Sequence, residues 1–210
     1  MGVPIRHSDR RFTWADYRSW PDDERWEIIA GVAYAMAPSP SVAHQEIVSA
    51  LNGELRAFLE GRPCDVLPSP MDVKLSDEDV VQPDLLVYCD PSQNKDSHIE
   101  GPPAIVIEVL SPGSQQHDRM RKLHLYARAG VKEYWIVGPK DQLVEVLVLK
   151  DGRYTIQHAL GPRDDLVSPT FDDMRIPLAK ILVTPPYPDQ VREGDPTGAG
   201  AATGNQVLDG

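Results

Sequence analysis

The sequence is short of cysteine, of basic charge and of long apolar runs. Its two cysteines, Cys64 and Cys89, are far apart and match no metal-ligand spacing. Both stand in apolar or strand-like segments, so they read as buried free thiols. Lys and Arg number 21 against 32 Asp and Glu, a net charge of −11. Neutralisation of phosphates by Lys and Arg supplies most non-specific affinity for nucleic acid. The charge balance therefore excludes a generally basic nucleic-acid binder, and such a partner needs a local basic patch or a metal ion. No apolar run is long enough to cross a bilayer. Residues Met1 to His7 contain no apolar signal-peptide core, so no signal peptide is expected and the chain is assigned to the cytoplasm.

What is present is ordinary for a soluble globular chain, with 41% apolar and 25% charged residues. A chain of 210 residues can hold one domain with a full core. Residues 1–12 read as an N-terminal arm and 13–183 as the folded domain. Residues 184–210, rich in Pro and Gly and poor in large apolar side chains, read as an extended or disordered tail.

Thr13 is a candidate N-cap for a short helix from Trp14 to Trp20, ended by Pro21. Arg25–Ile29 and Val32–Met36 read as two strands around Ala30-Gly31. Ile47, Leu51, Leu55 and Leu59 recur every four residues and predict a helix from Ser41 to Leu59, with Gly53 marking close packing. Short strands are predicted at Cys64–Leu67 and Met71–Leu75. One strand is predicted over Val80–Tyr88, with Pro83 at an edge, a bulge or a start because proline donates no ladder hydrogen bond. A polar loop runs from Asp90 to Gly101. Gly113-Ser-Gln-Gln-His-Asp118 leads into a helix through about Ala129, with Gly130 just past its end. Lys132–Val137, Leu143–Leu149 and Arg153–His158 follow as strands, the last two joined at Asp151-Gly152. A strand and a short helical turn close the domain between Phe171 and Leu182. The class predicted is α/β, a mixed central sheet flanked by helices.

The most informative stretch is Ile105-Val-Ile-Glu-Val-Leu110, between Gly101-Pro102-Pro103 and Ser111-Pro112-Gly113. It reads as a strand buried on both faces, with Glu108 in its middle. A desolvated carboxylate without a partner costs several kcal/mol or more, so Glu108 must be protonated, paired with Lys or Arg, or bound to a metal. Asp84 follows Pro83 at the start of an apolar segment. Lys122 lies on the helix after Glu108. Two carboxylates on neighbouring strands can hold one divalent cation through oxygen ligands, as Mg²⁺ prefers. A lysine beside them can position water or neutralise developing charge. Asp118, Lys122 and Tyr126 are spaced i, i+4, i+8 and share one helix face.

Asp84…Glu108-Val-Leu110 resembles the core of the PD-(D/E)XK nuclease superfamily. More closely, Val81-Gln-Pro-Asp84, Pro103-Ala-Ile-Val-Ile-Glu-Val-Leu-Ser-Pro112, then Asp118, Lys122, Tyr126 and Gly130-Val-Lys-Glu-Tyr-Trp-Ile-Val137 resemble the Uma-two family. Upstream, Trp26–Gly31 and Ser39–Gln45 resemble it as well. The resemblance implies a restriction-endonuclease-like fold and a Mg²⁺- or Mn²⁺-dependent hydrolase of DNA phosphodiester bonds. It implies Asp84 and Glu108 as metal ligands and Lys122 as the residue that positions water. In the superfamily pattern the lysine stands two residues after the Glu; that position is Leu110 here, and the role moves to Lys122. The rival reading is a nuclease fold with a weak or absent active site, kept as an oligomeric binding or regulatory module. A hydrolase of smaller phosphate esters is a third.

The remaining candidates are weaker. Asp118 is an i−4 ion-pair partner for Lys122. Tyr126 is a core residue or a substrate contact. His44 is a cap, a phosphate contact or a structural residue behind the ligands. Glu46 is a solvated helix residue that could reach a metal, Asp72 is a marginal ligand, and Glu27 is a partner for a core lysine. DNA binding needs basic side chains near Glu108, for which Arg119, Arg121 and Arg128 are the candidates, with Lys74 and Lys95. The apolar strand Leu143–Leu149 and the family resemblance imply a homodimer.

Overall fold

The computed structural model describes residues 10–21, 24–36, 40–111 and 115–182, with residues 115–118 as backbone only. The arm before residue 10 and the tail from residue 183 lie outside them, as do the side chains of His117 and Asp118.

Helix α1 (Trp14–Tyr17) is one turn held by a reciprocal cap. The Thr13 hydroxyl accepts from the Asp16 amide, and the Asp16 carboxylate accepts from the Thr13 amide. Strands β1 (Trp26–Ile29) and β2 (Val32–Ala35) form a hairpin. Its turn residues Ala30 and Gly31 both have positive φ, as a two-residue hairpin turn requires. Helix α2 (Val42–Leu59) starts at the Ser41 cap and buries Ile47, Val48, Leu51, Leu55 and Leu59, the face its periodicity predicts. A side chain added at Gly53 would meet nothing within 4 Å, so the close packing read there is corrected.

Strands β3 (Asp65–Pro68), β4 (Val73–Ser76), β5 (Asp79–Val81), β6 (Leu85–Tyr88), β7 (Ile99–Glu100) and β8 (Ile105–Val109) follow. Helix α3 (Gln115–Ala129) leads to β9 (Glu133–Gly138), β10 (Leu143–Lys150) and β11 (Arg153–Leu160). The short pair β12 (Asp165–Leu166) and β13 (Ile176–Pro177) closes the order. The central sheet runs β11-β10-β9-β8-β6-β3, and its one parallel pair, β8 with β9, is joined by the α3 crossover. The second sheet runs β2-β1-β5-β4-β7.

Alternation along β8 feeds two cores. Ile105, Ile107 and Val109 pack on the α2 side. Val106 packs on the other face with Leu125 and Tyr126 of α3 and with Ile29, Val73 and Val81 of the second sheet. All of β8 is buried, as its composition predicts.

Three expectations are corrected. Val80–Tyr88 is two strands in two sheets, and the chain crosses between them at Gln82-Pro83-Asp84. Pro83 cannot extend either ladder, and the crossing leaves Asp84 at the junction of the sheets. The polar loop from Asp90 contains β7, which pairs parallel with β4. Cys64 and Cys89 form a disulfide with an S–S distance of 2.06 Å, not free thiols. They stand one step beyond the Asp65–Tyr88 pair of β3 and β6, and this register brings them together. A loop of this length contributes about 3 kcal/mol by restricting the unfolded chain. Disulfides are rare in the cytosol, so this bond gives no support to the assignment to the cytoplasm. Among the described residues no helix is long and apolar enough to cross a membrane. Strand β10 gives Val144, Val146 and Leu147 to the chain's own cores.

Candidate functional site

Leu85 pairs with Ile107 in the antiparallel ladder of β6 and β8. One step further along this register Asp84 comes opposite Glu108. Glu108 shares the sheet face of Val106, covered by α3, whereas Asp84 stands at a bend just before β6 and turns its carboxylate toward the Val109 amide and His44 of α2. Asp84 is anchored by one oxygen. Its Oδ2 accepts from the Val109 amide at 2.7 Å and faces His44 Nε2 at 3.2 Å.

Glu108 is 9% exposed and meets two side chains of α3. Lys122 Nζ donates to its Oε1 at 3.0 Å, and the Tyr126 hydroxyl donates to the same oxygen at 2.7 Å. The i, i+4 spacing of Lys122 and Tyr126 puts both on the helix face turned to β8. Lys122 Nζ also lies 3.1 Å from Glu27 Oε1 of β1. One ammonium thus bridges buried carboxylates from two sheets. Glu27 in turn accepts from the Gln82 amide at 3.1 Å. Burial pushes the Glu108 carboxyl up to about 8; the Lys122 charge opposes this, and the Asp84 and Glu27 charges add to it. Burial also holds the Tyr126 hydroxyl well above its ordinary value, with the Glu108 and Glu27 charges adding to it. Tyr126 therefore acts as a hydrogen-bond donor.

The sequence model of the Uma2 family, described as "Putative restriction endonuclease", matches residues 14–179. The chain belongs to the Uma2 family. It is similar to the uncharacterized protein slr1290 of Synechocystis sp., with 31% identity over 115 residues. That match takes in 53% of this chain and 60% of the relative, so less than two thirds of the relative's length is spanned. The fold is similar to that of a crystal structure from Anabaena variabilis titled as a putative nuclease belonging to DUF820. The TM-score is 0.66 at 18% identity, covering 81% of this chain and 97% of that one.

Around the Uma2 core, the other candidates divide. His44 reaches Asp84. Glu27 pairs with the core lysine, as its place in the first strand suggests. Glu46 is exposed on α2. Asp72 bonds Tyr17 and Gln82 at 2.7 and 2.8 Å rather than joining Asp84 and Glu108. Arg119 pairs with Glu145 of β10, Arg128 lies 2.6 Å from Asp79, and Arg121 stacks 4.0 Å over the Tyr34 ring. Lys74 meets Asp77 and Glu100, and Lys95 approaches Glu100.

Gln82 and Arg25 went unnoticed in the sequence. Arg25 donates to Gln82 Oε1 at 2.7 and 2.9 Å, and Gln82 Nε2 donates to Tyr17 and Asp72. Gln82 directly precedes Pro83-Asp84, so this network fixes the crossing that carries Asp84. The one available signal was a polar residue within an apolar run.

The donor set fits a hard divalent cation. Carboxylate oxygens are its preferred ligands, and Asp84 Oδ1 and Glu108 Oε2 take none of the hydrogen bonds among the described residues. Among the described residues no group of three or more His, Cys, Asp or Glu converges on a cation. Asp84 and Glu108 would then supply two oxygen ligands, and water would complete the shell, as Mg²⁺ allows.

Glu108 makes the metal-free protein pH-sensitive. Its proton is held to about pH 8 in the folded chain, against an ordinary value of 4.5. The folded state therefore binds more protons across this window, and stability falls as pH rises through it. In EDTA, urea denaturation is expected to show this decline between about pH 4.5 and 8, and Glu108→Gln to remove Glu108's share. An unchanged pH profile in the variant would contradict the assignment.

Proposed function

We propose that this Uma2 protein is a metal-dependent endonuclease that hydrolyses DNA phosphodiester bonds. Asp84 and Glu108 would hold Mg²⁺ or Mn²⁺, and Lys122 would position the attacking water. The observation that carries this reading is that the Asp84 carboxylate is held on the amide of Val109, the residue next to Glu108, while the Lys122 ammonium lies against Glu108. A bound divalent ion supplies a more acidic water and offsets charge on the phosphoryl oxygens. Lys122 donates to the attacking water and counters charge built up at phosphorus. Glu27 shares the Lys122 ammonium and keeps it in reach of Glu108. Tyr126 holds Glu108 Oε1 from the helix side.

A second reading has its own support. Arg119, Arg121 and Arg128 each engage an acidic or aromatic partner within the chain, on a protein of net charge −11. This favours a weak or inactive nuclease fold that serves as a homodimeric binding or regulatory module.

Incubation of the full chain with long DNA of mixed sequence separates the two. The nuclease reading predicts nicking or cleavage in Mg²⁺ or Mn²⁺ that EDTA stops and Asp84→Ala abolishes. DNA left intact by a dimeric protein that still binds metal would support the module.

A further inference from the structure

We propose that His44 is the positioning residue for Asp84: together with the Val109 amide it holds Oδ2, turning Oδ1 toward a divalent cation. This rests on the reading of Asp84 as a metal ligand and extends it to a residue of another element. Three observations carry it. His44 is 7% exposed, and its Nε2 lies 3.2 Å from Asp84 Oδ2. The Val109 amide reaches the same oxygen from β8 at 2.7 Å. Among the described residues, His44 Nδ1 is buried without a hydrogen-bond partner.

The first observation identifies the working nitrogen. The Asp84 carboxylate only accepts, so the ring carries a proton on Nε2 and donates it to Oδ2. A buried Nδ1 without a partner is a cost to the fold, so packing alone does not account for an imidazole here. The ring has a fixed base. It sits in the first turn of α2, where the His44 amide donates to the Ser41 hydroxyl at 3.3 Å. Asp84 needs such a clamp because it follows Pro83 at the crossing between sheets, where the Ser69 amide holds its carbonyl at 2.9 Å but nothing in the ladder orients its side chain. Two donors from two elements on one oxygen leave the carboxylate a single orientation. Groups that orient a metal ligand in this way commonly affect metal affinity by about 10–100-fold.

The test compares His44→Gln, whose amide N–H stands near the place of Nε2, with His44→Met, of similar length and without a donor. Mn²⁺ is titrated into the full chain by calorimetry, and exchange of the Val109 amide is followed by NMR in EDTA. The expected result is Mn²⁺ affinity about 10–100-fold weaker in His44→Met and within about threefold of wild type in His44→Gln. Val109 exchange should be faster in His44→Met and restored in His44→Gln. Wild-type affinity and Val109 protection in a folded His44→Met protein overturn the proposal while leaving Asp84 as a ligand. If His44→Met does not fold, His44→Gln decides alone: affinity weakened tenfold or more overturns it. If the wild type binds no Mn²⁺, the metal reading fails and the proposal with it.

Discussion

Lys122→Met is expected to destabilise the protein by about 3–5 kcal/mol once the pH reaches about 8 and Glu108 is ionised, as removal of one member of a buried ion pair commonly does. The Lys122 ammonium lies 3.0 Å from Glu108 and 3.1 Å from Glu27, and all three side chains are nearly buried. Methionine can fill much of the same volume but leaves two carboxylates without their common counter-charge. Below about pH 8 Glu108 keeps its proton and needs no counter-charge. The deficit is therefore expected to shrink at pH 5 and to grow at pH 8. Converting Glu27 and Glu108 to Gln in the Lys122→Met background removes the charge conflict and should recover most of the loss. Urea denaturation of the variants at both pH values measures this. A single variant within about 1 kcal/mol of wild type at pH 8 would mean that the ion-pair triad does not hold the two sheets together.

Glu108→Gln is expected to separate stability from chemistry. The amide has no carboxyl to protonate and can still accept from Lys122 and Tyr126, so the metal-free variant should be at least as stable as wild type at pH 8. Under the proposed function the same change removes one of two anionic ligands. Divalent ions contribute several kcal/mol of charge stabilisation to phosphoryl chemistry, so hydrolysis should fall by about 10²–10³-fold. Single-turnover cleavage at saturating protein reads this loss directly. Cleavage at the wild-type rate by Glu108→Gln would move the active centre away from this strand.

Much of this site was legible because charge in an apolar strand is costly. Glu108 stood out within Ile105–Leu110, and that cost demanded a partner such as Lys122. The spacing of Lys122 and Tyr126 placed both on one face of α3, where they meet the same carboxylate oxygen. Less legible was whatever depended on register between distant segments. Pro83 signalled an irregular strand, but the transfer of the chain from one sheet to the other follows from pairings with β1, β4 and β8. The Cys64–Cys89 disulfide is a register effect of the same kind. β7 has only two residues, too few for a period. Gln82 and Arg25 gain their roles from side chains 57 positions apart in the chain, a contact that no local pattern announces.

The most direct test of the central claim is calorimetric titration of Mn²⁺ and Mg²⁺ into wild type, Asp84→Ala and Glu108→Gln, each first shown to be folded. The account predicts one site in the wild type that is lost in both variants. Absence of binding in the wild type, or binding that survives both substitutions, would contradict it and leave the binding-module reading in its place.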